Sequence, residues 1–511
     1  MSDRRGLAWH VSSLAAFWGV VFASSAQIEL APAPERVANA QALAPWFKAA
    51  ELGRADIVCF GDSNQSFGGH GWDDSVSAAS SARFGLYATG LLAPGENNGN
   101  GSGVGFGYQG HSTSSNGQFR YSGAPAELEL FLFPGLIPPF SYLYVPFEGQ
   151  AGGLVNQGMF LLRNSAIGNH STLRFHTVFG VFPGLHPGVF RPSVRRAEPP
   201  FEAILDGPLV LTRGVNYGVA SASIDLPAAV RDYAIDFRLS PWGWNIVGPF
   251  LAYMMRVENL DRPSGVAVHT LYAFGGNSAR DMVVALRAAS IEQLTLYFSK
   301  VRELQAGDKH VLVRINTGLN DRGESGVSLG PAAVTPSWLA EGYADNLLAL
   351  MTRIEEVWSL NGWPADELFF LLSPSHPVSN PDEPTLASYR RAATELALSR
   401  PRTASTNFDA ITSYGEMLAN GWYNLGGLDT PHLSQPGYTA LARRELVAAE
   451  GSICWRDLNN DQRIDAEDVY SYYPWNGDLN GDSTVNAADL RCLLRAVRSD
   501  EQADIGAQPN E

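Results

Sequence analysis

The sequence predicts an α/β protein built on a three-layer, doubly wound sheet, and three observations support this. Apolar, strand-length runs recur along the chain, and amphipathic helical patterns follow the later ones. Polar turns containing glycine come directly after several of the runs. The runs lie at 57–60, 266–274, 310–315 and 367–372, and the helical patterns at 279–298, 336–360, 385–398 and 435–447. In such sheets ligands bind beyond the carboxyl ends of the strands, so these turns are where a site is expected.

The first turn, Gly61-Asp62-Ser63-Asn64, places a serine at the end of a buried strand. A helix beginning there would leave free backbone N–H groups beside the hydroxyl, and these groups stabilise a developing oxyanion. Gly, Asp and Ser are also ordinary turn residues, so the tripeptide alone is a weak signal. The segments that follow strengthen it.

Three later segments supply groups that a serine hydrolase needs. Asn320 follows the strand at 310–315 and carries an amide that can donate into the same crevice as Ser63. Asp429 and His432 share one short loop, where the carboxylate can orient the imidazole that accepts the serine proton. Gly276, in Gly275-Gly276-Asn277-Ser278-Ala279-Arg280, allows a backbone N–H to approach a ligand closely.

These segments, in this order, resemble the SGNH hydrolase family, also called the GDSL esterases. The resemblance implies that Ser63 is the nucleophile and that Asp429 and His432 complete the triad. It also implies an oxyanion hole formed by Ser63, Gly276 and Asn320. The Gly-x-Ser-Ala-Arg form of the second segment is similar to the rhamnogalacturonan acetylesterase branch. One departure is Asn64, where many members have leucine.

The long interval between Ser63 and Gly276 predicts an inserted domain. Residues 115–260 contain segments that alternate apolar and polar residues, separated by Pro and Gly turns, as in an antiparallel β-sandwich. Its position resembles that of the carbohydrate-binding-like insertions of SGNH polysaccharide O-acetylesterases. Trp242 and Trp244 either form a sugar-binding platform or fill the core of this domain.

Composition excludes some classes of function. The chain has 511 residues with a formal net charge of −16 and no basic cluster beyond its first positions, so no nucleic-acid or anionic-membrane partner is expected. Residues 1–26 combine Arg4 and Arg5, a short apolar stretch and small residues ending at Ala26, as in a secretory signal peptide. We therefore expect a secreted protein, extracellular or periplasmic.

The carboxyl-terminal segment contains two acidic loops with the spacing of calcium-binding loops. The expected ligands of the first are Asp457, Asn459, Asp461, Arg463 through its carbonyl, Asp465 and Asp468. Those of the second are Asp478, Asn480, Asp482, Thr484 through its carbonyl, Asn486 and Asp489. The pair resembles a type I dockerin, a small α-helical module, which implies two structural Ca²⁺ ions and a cohesin-like protein partner. Gln462 and Ser483 stand where dockerins usually have glycine.

Cysteine usage is sparse. Of the three cysteines, Cys59 lies in the strand before Ser63, and Cys454 and Cys492 flank the dockerin-like module. In an exported protein we expect these two to form a disulfide.

The expected organisation comprises six segments: a signal peptide at 1–26, a first hydrolase part at 27–114, the sandwich at 115–260, a second hydrolase part at 261–449, the dockerin-like domain at 450–499 and a disordered tail at 500–511. The expected function is removal of O-acetyl groups from a polysaccharide by a serine esterase that needs no cofactor for catalysis. The alternatives are an O-acetyltransferase, a lipid or short-chain esterase, and a non-catalytic carbohydrate-binding scaffold.

Overall fold

The structure is a computed structural model that describes part of the chain. The described residues are 36–62, 64, 72–88, 90–91, 106–108, 118–121, 141–145, 155–163, 172–181, 189–196, 203–208, 210–211, 218–226, 232–239, 250–273, 277–322, 337–379, 384–423 and 432–453. The predicted signal peptide, calcium loops, disulfide and tail lie outside them, as do Ser63, Gly276, Asp429, Trp242 and Trp244.

The strands are numbered in chain order: β1 (Val37–Ala38), β2 (Arg54–Gly61), β3 (Phe106–Tyr108), β4 (Gln118–Tyr121), β5 (Ser141–Val145), β6 (Val155–Arg163), β7 (Leu173–Val181), β8 (Val189–Arg196), β9 (Ala203–Asp206), β10 (Val210–Leu211), β11 (Gly218–Leu226), β12 (Asp232–Leu239), β13 (Phe250–Asn259), β14 (Gly265–Ala273), β15 (His310–Thr317), β16 (Leu368–Pro374) and β17 (Thr403–Thr406).

The helices are α1 (Ala44–Leu52), α2 (Trp72–Phe84), α3 (Ala279–Ala288), α4 (Ile291–Arg302), α5 (Ala340–Leu360), α6 (Pro384–Leu398), α7 (Phe408–Ile411), α8 (Tyr414–Ala419) and α9 (Gln435–Gly451). Short 3₁₀ helices lie at Ala40–Leu43 and Ala365–Glu367.

The largest parallel region is a six-stranded sheet, in the order β1-β17-β16-β15-β2-β14. Five of its strands run parallel to one another: β14, β2, β15, β16 and β17. The short β1 is antiparallel and pairs with β17. Successive side chains of a strand point to opposite faces. Accordingly Val58 and Phe60 join a core with α3 to α6, whereas Ile57 and Cys59 join a second core with α1, α2 and α9. The predicted α/β architecture with helices on both faces is confirmed in this part.

The predicted helix over 279–298 is in fact two helices. Ala289 is extended, and Ser290 caps α4 by accepting a hydrogen bond from the Gln293 N–H, while the Gln293 side chain accepts one from the Ser290 N–H. This capping box satisfies backbone N–H groups that the start of a new helix would otherwise leave without an intrahelical partner. The apolar pattern correctly predicts helical structure here, but it does not reveal the break between α3 and α4.

Between β2 and β14 the chain forms two antiparallel sheets, β10-β8-β12-β6-β3 with β9 beside β8, and β11-β7-β13-β5-β4. Their strands run from Phe106 to Asn259, so the first of them lies before the expected boundary at 115. Val178 of β7 belongs to the core shared by the parallel sheet and α3 to α6, and Arg256 of β13 donates to the Lys300 carbonyl of α4 at 2.5 Å. One face of the second antiparallel sheet therefore contacts the part of the chain that contains the parallel sheet. Packing of the two sheets into a sandwich stays a prediction.

Candidate active site

The strand order predicts a ligand-binding crevice between β2 and β15. Numbered along the chain, the parallel strands have the spatial order 2-1-3-4-5, and the connections leave β2 and β15 in opposite directions. Ligands of doubly wound proteins bind at this reversal, beyond the carboxyl ends of the two strands. β2 ends at Gly61, two residues before Ser63, and β15 ends at Thr317, three residues before Asn320. Both residues predicted from the motifs therefore follow the two strands that border the crevice.

Asn320 brings three chain segments together. Its side-chain nitrogen donates to Oδ2 of Asp62 at 3.3 Å and to the backbone carbonyl of Asn277 at 3.2 Å. Asp62 precedes Ser63 and Asn277 follows Gly276, so the segments that bear the three predicted oxyanion donors meet at this amide. An amide nitrogen has two hydrogens, so a bound oxyanion would compete with Asp62 or Asn277 for one of them.

Asp62 is a buried carboxylate that organises the nucleophile turn. It is 1% exposed, and its Oδ1 accepts hydrogen bonds from the backbone and side-chain nitrogens of Asn64 at 2.8 and 3.1 Å. Burial raises the pKa of Asp62 to about 6, although the hydrogen bonds from Asn64 oppose this. Sequence reasoning treated Asp62 only as a turn former, because nothing in a turn motif reveals that its side chain is buried.

Asp321 joins the second and third segments. Its Oδ1 accepts from the Ala279 N–H at 2.9 Å, at the first residue of α3, and its Oδ2 accepts from the Gly318 N–H at 3.0 Å. Gly318 has φ of +116°, a conformation that side-chain-bearing residues rarely adopt, so glycine lets the chain turn sharply after β15. Burial raises the pKa of Asp321 to about 7, and the nearby charge of Asp62 adds to this rise. This carboxylate was not singled out from the sequence.

His432 lies in the described part of the site and is 9% exposed. Two residues later Ser434 is the N-cap of α9; its side chain accepts from the Gly437 N–H, and its backbone N–H donates to the Trp422 carbonyl. A Cβ at Gly437 would lie 2.4 Å from that carbonyl oxygen, so only glycine permits this contact. The predicted base, His432, therefore lies next to the start of α9, whose position is fixed by contacts with the Trp422 carbonyl.

A buried ion pair anchors α9 to the middle of the sheet. Glu445 accepts from Nε of Arg314 at 2.9 Å and from the hydroxyls of Ser373 and Thr406 at 2.6 and 2.7 Å. Arg314, Ser373 and Thr406 belong to β15, β16 and β17, so one carboxylate contacts three adjacent strands. Breaking such a pair leaves an uncompensated buried charge, which typically costs about 3–5 kcal/mol. The helix that follows His432 thus has a fixed position on the sheet.

The structure connects the nucleophile turn to this helix as well. The Tyr438 hydroxyl of α9 donates to Oδ1 of Asn64 at 2.7 Å, and both residues are buried. The hydrogen bonds of Asp62, Asn64, Asn320 and Tyr438 therefore form one chain that links the segments bearing Ser63, Gly276, Asn320 and His432. Whether Asp429 orients His432 stays a prediction, since Asp429 lies outside the described residues.

The described residues contain no group of three or more His, Cys, Asp or Glu side chains placed to hold a metal ion. No helix within those same ranges is long and apolar enough to cross a membrane.

Comparison with known proteins returned structural similarities at low sequence identity. No family model matches the chain, and no curated protein matches it. A peptidoglycan O-acetylesterase structure aligns over 81% of this chain and 97% of its own, with 14% identity and a TM-score of 0.49. A salicylyl-acyltransferase from a tetracycline biosynthetic pathway aligns over 70% and 98%, with 14% identity and a TM-score of 0.25.

A third similar structure is a carbohydrate esterase that aligns over 62% of this chain and 90% of its own, with 11% identity and a TM-score of 0.24. All three scores lie below 0.5, so we draw the function from the residues of the chain itself.

Proposed function

We propose that this protein is a secreted serine esterase of the SGNH type that removes O-acetyl groups from a polysaccharide. The observation that supports this most directly is the pair of hydrogen bonds made by Asn320, to Asp62 at 3.3 Å and to the Asn277 carbonyl at 3.2 Å. These bonds bring the neighbours of Ser63 and Gly276 to one amide at the strand-order reversal. An oxyanion hole requires several preorganised donors that converge on one point.

In the proposed reaction Ser63 attacks the ester carbonyl and His432 accepts its proton, while Asp429 orients the imidazole. The backbone N–H groups of Ser63 and Gly276 and the side chain of Asn320 stabilise the oxyanion. His432 then protonates the departing sugar oxygen. Finally it takes a proton from water as the water oxygen attacks the acyl carbonyl, and it returns that proton to the Ser63 oxygen as the acyl–oxygen bond breaks, which releases acetic acid, ionised to acetate at neutral pH, and restores Ser63.

The substrate class is proposed from the resemblance to polysaccharide O-acetylesterases. Two of the similar structures are named for related chemistry, a peptidoglycan O-acetylesterase and a carbohydrate esterase. Acetyl transfer to a second sugar, or hydrolysis of lipid esters, uses the same nucleophile and oxyanion hole and differs only in acceptor and acyl chain.

Ser63→Ala tests the catalytic proposal. The variant should fold normally and lose hydrolysis of 4-nitrophenyl acetate, because it lacks the attacking oxygen. Acetate release from acetylated pectin, xylan and peptidoglycan then identifies the polymer, and a 4-nitrophenyl palmitate assay separates a lipid esterase. A folded parent protein that hydrolyses none of these esters would support the non-catalytic scaffold instead.

For the carboxyl-terminal segment we propose two structural Ca²⁺ ions, bound by the two acidic loops, and a cohesin-like partner. Carboxylate, amide and carbonyl oxygens at this spacing suit the seven-oxygen shell of Ca²⁺. Calorimetric titration of the full chain should show about two bound ions, since each loop supplies one set of ligands. Absence of uptake in the parent, or equal uptake after Asp457→Ala and Asp478→Ala together, would exclude this proposal.

A further inference from the structure

Asn64 uses both ends of its side-chain amide in a buried position. Its nitrogen donates to Oδ1 of Asp62 at 3.1 Å, and its oxygen accepts from the Tyr438 hydroxyl at 2.7 Å. Asn64 is 2% exposed and Tyr438 is fully buried, so water does not replace either bond. The amide therefore connects the carboxylate on one side of Ser63 in the sequence with a helix from a distant part of the chain.

The position of Tyr438 is itself fixed. It lies in the first turns of α9, which Glu445 anchors to three strands and which Gly437 seats against the Trp422 carbonyl. His432 lies just before the capping residue of the same helix. The bond between Tyr438 and Asn64 spans 374 residues of sequence and joins the base-bearing segment directly to the nucleophile turn.

We propose that Asn64 and Tyr438 are positioning residues, and that their hydrogen bond sets the separation between the segment of Ser63 and the segment of His432. This inference depends on the proposed esterase function. Neither residue contacts substrate in the proposed reaction, so neither is catalytic. The proposal also explains the departure from the common Gly-Asp-Ser-Leu motif, because leucine at position 64 offers Tyr438 no acceptor.

Melting temperature and kcat together distinguish a positioning role of this hydrogen bond from a merely structural one. A buried hydrogen bond that only stabilises the fold changes the melting temperature and leaves the turnover of folded protein unchanged. A bond that holds nucleophile and base apart at the correct distance changes kcat while KM for a small ester stays constant, because misplacement of reacting groups mainly affects the chemical step.

The test compares Tyr438→Phe, Asn64→Leu and the double variant on 4-nitrophenyl acetate. Tyr87→Phe is the matched control, because the Tyr87 hydroxyl is also buried and donates at 2.5 Å to a carboxylate, Asp56, near the other end of β2. We expect Tyr438→Phe to lower kcat about tenfold with KM within about twofold of the parent. Tyr87→Phe should lower the melting temperature and keep the parent kcat.

The double variant should be no slower than Asn64→Leu alone, because both changes remove the same hydrogen bond. Equal kcat for Tyr438→Phe and Tyr87→Phe, or fully additive losses in the double variant, would overturn the positioning role while leaving the esterase proposal intact. A parent protein inactive on aryl and polysaccharide acetates would overturn both, so the two failures are distinguishable.

Discussion

The two ends of β2 hold buried carboxylates in different surroundings. At its start Glu258 lies between the Arg54 guanidinium and the His176 ring. Beyond the carboxyl end of β2, Asp62 and Asp321 accept hydrogen bonds from neutral groups. Among the described residues no lysine, arginine or histidine pairs with either aspartate. Burial alone would raise the pKa of Glu258, but the hydrogen bonds from His176 and Arg54 outweigh it and lower the pKa to about 2. At the other end burial prevails, and the pKa of each aspartate is raised.

We interpret this difference as separating a stabilising cluster from a cluster at the proposed active site. A carboxylate with a cationic partner is stable when ionised, whereas a buried one that meets only neutral groups destabilises the folded state at neutral pH. The neutral donors around Asp62 and Asp321 belong to the segments that carry the predicted site residues. We infer that these carboxylates are retained for the geometry that they impose on the site, at some expense of stability.

The first prediction concerns Asp62→Asn and has the largest expected effect. The new amide can still accept from Asn64, but its NH₂ group would face the NH₂ group of Asn320 and displace it. Loss of an oxyanion donor typically lowers kcat by about 100-fold or more, and we expect a loss of this order for 4-nitrophenyl acetate at pH 8. Stability at that pH should not fall, because the variant removes a charge that burial disfavours.

Asp56→Asn is the control at the other end of β2. Asp56 accepts from the Tyr87 hydroxyl and from the Gln305 side chain, and it contacts Nε2 of His269 at 2.8 Å. The Leu91 N–H donates to Nδ1 of the same ring at 2.8 Å, so Nε2 carries the proton that is donated to Asp56. Asp56→Asn should therefore destabilise the fold and leave kcat unchanged. A folded Asp62→Asn variant with parental kcat would disprove the positioning role of Asp62.

The second prediction is a stability effect without an activity effect. Glu258→Gln removes the partner of Arg54 at 2.7 Å and of His176 at 3.0 Å, in a region where all three side chains are at most 19% exposed. We expect the free energy of unfolding to fall by about 2 kcal/mol, below the cost of breaking a fully buried pair because solvent partly screens this one. Denaturant titration measures the change, and kcat should stay at the parental value.

Asp225→Asn provides the comparison for this second prediction. The Arg174–Asp225 pair lies on a neighbouring part of the same sheet, but its side chains are 38% and 60% exposed. Exposed pairs contribute little, so the variant should lose less than about 0.5 kcal/mol. Similar losses in both variants, or reduced kcat in Glu258→Gln, would contradict the view that this end of β2 serves stability alone.

Sequence reasoning predicted the parallel sheet and the strands before the candidate site, because apolar runs are local signals. Short motifs also pointed to Asn320 and His432, and the catalytic roles of these two residues stay predictions. The break between α3 and α4 also had a local signal, the Ser290-x-x-Gln293 capping box, which the longer apolar periodicity concealed. The glycine turns at the strand ends indicated where a site would form.

The network behind the site had no such signal. Tyr438 contacts Asn64 across 374 residues and Glu445 contacts Arg314 across 131 residues, and such partners follow only from the packing of α9 on the sheet. In the sequence Glu445 is one more charged residue on an amphipathic helix, and Asp62 and Asp321 are ordinary turn residues. Their roles depend on burial by segments that are distant in the sequence. Burial of an individual polar residue cannot be inferred from a single sequence.

The third prediction concerns pH and has the smallest expected effect. The pKa of Asp62 is raised from 3.8 to about 6, so the folded protein keeps a proton that the unfolded chain releases. The stability from this group is fully present below pH 3.8 and is lost as pH rises through 6, about 1.4 kcal/mol per pH unit within that window.

The Asp62→Asn variant lacks this titrating proton, so between pH 4 and about 6 its unfolding free energy should rise relative to that of the parent by the same amount per pH unit. Glu258 has the opposite sign: its pKa is lowered from 4.5 to about 2, so its contribution is constant above pH 4.5 and Glu258→Gln should shift the curve uniformly there. Parallel curves for the parent and Asp62→Asn in urea titrations at pH 4.5, 5.5 and 7 would show that Asp62 is not a strained buried acid.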